Sequence, residues 1–181
     1  MRLDLSNLSI LLVDDSVFMR RIIKTYLTSF HVRHIMEADD GIQAIERLQS
    51  NRPDMVITDW LMPHINGLEL TRHIRSEEKS PDPYMPVIML SSYSERWRVI
   101  QARDSGVTEF LCKPISAKSL YLRIAVSIVK PRPFVRTKSF FGPDRRRFID
   151  PTFDGAEKRL DAIMNGDDDA GEPAAKKKAE G

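Results

Sequence analysis

Four of the five short apolar segments in this chain end at polar residues of types that can do chemistry. Asp14 and Asp15 follow the first segment, Asp59 the third, Ser91 the fourth and Lys113 the fifth. If these segments are strands of an open parallel sheet, their carboxyl ends share one edge, and ligands bind there, where the strand order reverses. We therefore expect these five side chains to converge on one site.

The residue types at this edge indicate phosphoryl chemistry with a divalent cation. Three carboxylates brought together raise each other's proton affinity unless a cation lies among them. Oxygen ligands, without a cysteine or a well-spaced histidine pair, favour Mg²⁺, which binds through a few carboxylates and a substrate phosphate. A lysine and a hydroxyl can hold phosphoryl oxygens, and a carboxylate can accept the phosphoryl group as an acyl phosphate.

The elements that must position these residues follow from the hydrophobic pattern. Segments of helical spacing lie between the five apolar segments, and candidate N-caps precede them at Ser16, Asp40, Asn66, Ser94 and Ser116. The apolar segments span residues 8–13, 32–36, 55–58, 87–90 and 107–111. Apolar strands joined by crossover helices predict an α/β fold with a doubly wound, five-stranded parallel sheet over residues 6–130. Glu37 and Asp39, at the end of the second strand, receive no role.

The composition is typical of a soluble globular protein. The 181 residues are 41% hydrophobic and 30% charged, with a net charge of +2. No stretch approaches the ~20 consecutive apolar residues of a membrane span, and the N-terminus lacks the apolar segment of a signal peptide. We therefore expect a cytoplasmic protein without membrane insertion. The single cysteine, Cys112, excludes an internal disulfide framework.

The helix and strand pattern stops at Lys130, and prolines then recur too closely for another packed domain. Residues 131–166 are expected to form an irregular, basic, Phe-rich extension, with spacing compatible with a short helix over residues 154–164. Residues 167–181 form a low-complexity segment that we expect to be disordered. Solvated linkers are poor in aromatic residues. The phenylalanines of the extension are therefore expected either to dock on the preceding domain or to insert into a partner.

The motifs around these residues closely resemble the receiver domain of two-component response regulators, in its single-domain, chemotaxis-regulator-like form. The resemblance covers residues 6–130 and rests on the adjacent pair Asp14-Asp15, Asp59 in TDWLMPHINGLEL, Ser91 in VIMLSS and Lys113-Pro114 in EFLCKPI. It implies a flavodoxin-like (βα)5 fold with strand order 2-1-3-4-5. A cis peptide bond between Lys113 and Pro114 is also implied.

The resemblance further implies a role for each residue of the site. Asp59 is the expected phosphoacceptor. Asp15 and the backbone carbonyl of Leu61 are expected to join Asp59 on Mg²⁺, and Asp14 is expected to reach the metal through water. Ser91 and Lys113 would hold the phosphoryl oxygens.

A switch residue is implied as well. Phe110 matches the aromatic switch position, which turns inward when the hydroxyl of Ser91 moves onto the new phosphoryl group. Trp97 falls on the predicted fourth helix, where it belongs either to the core or to an exposed docking surface.

These features predict a phosphorylation-dependent signalling switch that receives its phosphoryl group from a histidine kinase or a phosphotransfer protein. It would relay its state through altered protein–protein binding and would catalyse only its own phosphorylation and dephosphorylation. An alternative hypothesis is a nucleic-acid-binding regulator that acts through the basic extension, because residues 134–148 interleave aromatics with arginines. The extension is too short for a helix-turn-helix or winged-helix domain, so DNA is not the expected partner. Turnover of small phosphates as a phosphohydrolase is the least favoured hypothesis.

Overall fold

The computed structural model describes residues 3–145 and shows five alternating strands and helices followed by two short strands. The strands are β1 (Ser9–Val13), β2 (His34–Ala38), β3 (Met55–Asp59), β4 (Val87–Ser91), β5 (Glu109–Cys112), β6 (Phe134–Arg136) and β7 (Phe141–Pro143). The helices are α1 (Val17–Ser29), α2 (Gly41–Asn51), α3 (Gly67–Arg75), α4 (Arg96–Asp104) and α5 (Ala117–Val129).

The first five strands form one parallel sheet in the order β2-β1-β3-β4-β5. This confirms the doubly wound fold and the strand order implied by the resemblance. The order reverses between β1 and β3, where Val13 pairs with Thr58. The residues that follow these two strands therefore face the crevice in which open α/β sheets bind ligands.

Alternate residues of β1 pack into two hydrophobic cores, one on each face of the sheet. Ile10 and Leu12 belong to a core that includes residues of α1 and α5, such as Ile23 and Leu120. Leu11 and Val13 belong to the opposite core, with residues of α2 and α3 that include Leu48, Leu70 and Ile74. The sheet is thus covered on both faces, which explains why its strands are apolar along nearly their whole length.

Two local expectations need correction. The second strand begins at His34 rather than at Val32, because Val32 is buried in the turn after α1, where its amide donates to the carbonyl of Leu27. Helix α4 has Glu95 rather than Ser94 as its N-cap, without a side-chain capping bond. The other four expected caps are confirmed, and their side chains accept from first-turn amides: Ser16, Asp40, Asn66 and Ser116.

The expectation of an irregular extension from residue 131 needs correction over residues 131–145. These residues form an antiparallel hairpin of β6 and β7, in which Val135 pairs with Gly142. The compact unit that contains the sheet accordingly runs to Arg145, past the boundary expected near Lys130. The helix expected over residues 154–164 and the low-complexity segment 167–181 lie outside the described residues.

The hairpin packs on the loops that lead into β4 and β5. Phe134 and Phe141 contact each other and the ring of Tyr84, with ring centroids 5.0–5.5 Å apart. The backbone approaches closely as well, because a Cβ atom on Gly142 would lie 3.0 Å from the Cα atom of Gly106. Phe134 and Phe141 thus dock on the domain itself, which is one of the two expected outcomes.

Within residues 3–145 no helix has the length and apolar character needed to cross a membrane.

Candidate functional site

Two buried carboxylates and one lysine meet at the carboxyl edge of the sheet. Asp14 directly follows β1 and is fully buried, while Asp59 is the last residue of β3 and is 7% exposed. The ammonium group of Lys113 lies 3.1 Å from Oδ2 of Asp14 and 2.8 Å from Oδ1 of Asp59. The structure therefore brings together three of the residues that the sequence predicted to converge.

Lys113 and Ser91 are positioned by the end of the β4–β5 pair. The amide of Lys113 donates to the carbonyl of Ser91 at 2.7 Å. Ser91 is fully buried, and its hydroxyl oxygen accepts from the amide of Tyr93 at 3.0 Å. The Lys113–Pro114 peptide bond is cis, as the resemblance implied. Both residues expected to hold phosphoryl oxygens thus lie on neighbouring strand ends.

The burial of this cluster governs its electrostatics. Burial raises the pKa of Asp59 above its usual value, and the charge of Asp14 adds to this effect, although Lys113 opposes it. Burial alone would lower the pKa of Lys113, but the hydrogen bond and charge of Asp59, together with Asp14, raise it overall. Lys113 is therefore firmly protonated, while the ionised form of Asp59 is incompletely compensated in the folded protein.

The other two expected metal ligands lie beside this cluster along the chain. Asp15 is exposed and follows Asp14 directly. Leu61 is also exposed, and its amide donates to Oδ2 of Asp59 at 3.1 Å, which ties the start of the β3–α3 loop to the acceptor carboxylate. Across residues 3–145 no three His, Cys, Asp or Glu side chains converge as a ready-made metal cluster. The donors nevertheless fit a hard cation, because all are oxygens and Lys113 supplies a single positive charge to two buried carboxylates.

A set of contacting aromatic side chains connects Trp60, the residue after Asp59, with β5 and α4. Trp60 is buried and meets Phe110 edge to face, with ring centroids 6.2 Å apart. The guanidinium of Arg98 lies 5.7 Å from the centroid of Trp60, 4.4 Å from that of Trp97 and 3.8 Å from that of Tyr93. Trp97 itself is 56% exposed, so it belongs to the surface and not to the core.

One residue at the edge of the site was missed by sequence reasoning. Arg20, on α1, donates from Nη1 to the backbone carbonyl of Asp14 at 2.6 Å. The sequence offered only a weak signal, an arginine early in the helix that follows the acidic pair. A contact to a backbone carbonyl leaves no pattern of residue types by which it could be recognised.

Comparison with known proteins agrees with this geometry. The sequence profile of the response regulator receiver domain matches residues 10–125. The chain is 38% identical over 114 residues to chemotaxis protein CheY-3 of Vibrio cholerae serotype O1, an alignment that covers 63% of this chain and 86% of that protein. It is 38% identical over 117 residues to chemotaxis protein CheY of Pseudomonas aeruginosa, covering 65% and 93% of the two chains.

Solved structures show the same similarity in three dimensions. The receiver domain of the Francisella response regulator 1452 superimposes with a TM-score of 0.61 at 28% identity, covering 66% of this chain and 95% of that one. Chemotaxis protein CheY4 of Vibrio cholerae gives a TM-score of 0.60 at 25% identity, covering 65% and 96%. With the family profile, the relatives and the fold in agreement, this chain belongs to the response regulator receiver domain family of two-component signalling.

Proposed function

We propose that this receiver is a signalling switch that takes a phosphoryl group from a histidine kinase or a phosphotransfer protein onto Asp59. The observation that carries the proposal is the contact of one lysine with buried carboxylates from two strands. Asp59 is the better acceptor of the two, because it retains some exposure to an incoming donor while Asp14 has none. The amide of Leu61 also holds one of its oxygens in place.

Mg²⁺ would be held by Asp14, Asp15, Asp59 and the backbone carbonyl of Leu61. When bound, it supplies positive charge that offsets the repulsion between the carboxylates and an approaching phosphoryl group. The burial of Asp59 beside Asp14 supports this assignment: it raises the pKa of Asp59 although Lys113 lowers it, and a bound cation would offset the same buried negative charge.

In the transfer step, a carboxylate oxygen of Asp59 attacks the phosphorus atom of a phosphohistidine. The new P–O bond forms as the P–N bond breaks, and the histidine leaves with the electron pair of that bond. Lys113, already 2.8 Å from Asp59, then binds a phosphoryl oxygen. The hydroxyl of Ser91 binds another. We propose that the chain catalyses this transfer only onto its own Asp59.

The output would follow from the movement of Ser91. Its hydroxyl leaves the amide of Tyr93, from which it accepts in this structure, and Phe110 turns into the space that is vacated. Trp97, Val99 and Ile100 are exposed on α4, which adjoins this region. A protein partner that reads this helix would sense the change, because the position of α4 is linked to Trp60 and Tyr93 through Arg98.

The described part of the basic extension does not favour nucleic acid as the partner. Its arginines pair with acidic residues of the domain: Arg132 with Glu109, Arg136 with Glu77 and Arg145 with Asp104. Positive charge already paired within the protein is less available to phosphates of a nucleic acid backbone. We therefore propose a protein partner.

The test is phosphorylation by a histidine kinase or a small phosphodonor such as acetyl phosphate. Asp59→Asn should abolish the label, because an amide cannot form an acyl phosphate, and a metal chelator should do the same to the unmodified protein. Asp54→Asn is the matched control, since Asp54 precedes the same strand at its opposite end and binds the amide of Ser9. Label that persists at an unchanged rate in Asp59→Asn would refute the assignment.

A further inference from the structure

Arg20 occupies an unusual position for an arginine near a protein surface. Its side chain is only 14% exposed, although Arg21, the next residue on α1, is exposed. Nη1 donates to the carbonyl of Asp14 at 2.6 Å, while Nε lies 3.4 Å from a carboxylate oxygen of Glu37 and is buried without a hydrogen bond among the described residues. Burial of a guanidinium with a donor left unsatisfied is costly.

The ion pair with Glu37 does not explain this burial. Lys24 binds Glu37 more closely, at 2.5 Å, and its hydrogen bond is the largest cause of the lowered pKa of that carboxyl. Arg20 contributes less to this lowering than Lys24 does, so Lys24 is the main partner of Glu37. The directed contact of Arg20 is the short hydrogen bond to the backbone of Asp14.

That hydrogen bond completes a set of restraints on Asp14. The amide of Asp14 donates to the carbonyl of Ala38, and its two carboxylate oxygens accept from the amide of Ser16 and from Lys113. Because the peptide unit is planar, fixing the carbonyl oxygen of Asp14 also fixes the direction in which the chain continues into Asp15. Asp15 is exposed. The direction of its side chain therefore depends strongly on the conformation of its backbone.

We propose that Arg20 is a positioning residue of the acidic site: by holding the Asp14–Asp15 peptide, it limits the directions open to the carboxylate of Asp15 and favours the binding of that carboxylate to Mg²⁺ beside Asp59. The inference rests on the proposed function, because Mg²⁺ is the species that would gather these carboxylates. A residue that orients a ligand through its backbone changes metal affinity without contacting the metal, and losses of this kind are about 10- to 100-fold.

The charge of Arg20 and its geometry make opposite predictions, and this allows the role to be tested. A positive charge near the carboxylates competes electrostatically with a cation, so an arginine that acted only through charge would weaken metal binding, and its removal would tighten it. A positioning arginine strengthens metal binding, and its removal weakens it. Lysine retains the charge but not the planar fork of donors that reaches the carbonyl.

The experiment is a Mg²⁺ titration followed by the fluorescence of Trp60, in a Trp97→Phe background so that Trp60 is the reporter. Arg20→Met should weaken the apparent affinity by about tenfold, and Arg20→Lys should restore it only in part. Arg21→Met, on the exposed neighbour, should titrate like the background protein. Glu37→Gln should also change little, because it leaves the hydrogen bond to Asp14 in place.

Each result bears on the proposal in a distinct way. An unchanged or tighter affinity in Arg20→Met would overturn it, and so would full recovery in Arg20→Lys. If Arg20→Met fails to fold by circular dichroism, the Arg20→Lys titration decides, because a positioning role requires a loss there as well. The absence of any Mg²⁺ response in the background protein would overturn the proposed metal site itself, whereas a normal background titration with no effect at Arg20 overturns this inference alone.

Discussion

The two ends of the sheet treat charge in opposite ways. At the carboxyl end, Asp14 and Asp59 share Lys113, and burial keeps the pKa of Asp59 raised. At the amino end of β5, the buried carboxylate of Glu109 binds both Arg123 and Arg132. One end leaves its buried negative charge incompletely compensated, and the other compensates it within the chain. The comparison predicts that the buried carboxylates at the carboxyl end lower the stability of the fold at neutral pH, whereas the ion pairs at the amino end of β5 add to it.

Removal of the hairpin should have the largest effect on stability. Truncation after Lys130 takes Arg132 from Glu109, which keeps Arg123, and removes the two phenylalanine rings that contact Tyr84. A hydrogen bond to a charged group contributes about 1.5–3 kcal/mol. The free energy of unfolding, measured by denaturant titration, should fall by about that amount relative to a chain truncated after Arg145. Acetyl phosphate should still label the folded fraction, because every proposed site residue lies at the other end. Equal stability of the two truncated chains would mean that the hairpin contributes nothing to the fold.

Asp59→Asn should have a smaller effect of opposite sign. The pKa of Asp59 is raised in the folded protein, so the stability linked to this group is greatest below its unfolded value of 3.8 and is lost as the pH rises through the folded value. At neutral pH the ionised carboxylate is therefore a cost that asparagine removes. The variant should melt at a higher temperature than the wild type at pH 7, and the difference should shrink as the pH falls. A lower melting temperature at pH 7 would show that pairing with Lys113 outweighs burial.

The smallest effect should come from the exposed ion pair of the hairpin. Arg136 binds Glu77 with both ends of its guanidinium, yet its side chain is 58% exposed. Solvent screens such pairs, so Arg136→Met should leave the denaturation midpoint almost unchanged. Arg132→Met, which deprives the buried Glu109 of a partner, should lower it clearly. Equal effects of the two substitutions would contradict the distinction between buried and exposed pairs.

The candidate site at the carboxyl edge could be predicted in part from the sequence, because four of the five apolar segments end at residues whose types can do chemistry. Asp59 and Ser91 are the last residues of β3 and β4, Lys113 directly follows β5, and parallel pairing of these strands brings the three residues to one edge. The order of the strands came from the family resemblance and not from periodicity. The types of these residues and the rule for open parallel sheets were enough to predict that Asp14, Asp59 and Lys113 meet.

The hairpin could not be predicted in this way. Its strands have only three residues each, and β7 ends in a proline, so no alternating pattern develops. Its stability comes from partners far away in sequence, such as Tyr84 and the acidic residues of α4 and β5. Arg75 also joins the hairpin to distant parts of the chain. Its buried guanidinium donates to the carbonyls of Pro83, Met85 and Gly106, and it lies over the ring of Phe134.

This long-range platform has a consequence for the order of folding events. The hairpin packs against α3, the loop before β4 and the loop before β5. We expect these packing contacts to form late in folding, once those elements have assembled. Contacts made after the transition state slow unfolding without accelerating folding. We therefore expect residues 131–145 to slow unfolding. Their loss should raise the unfolding rate in stopped-flow experiments and leave the refolding rate nearly unchanged.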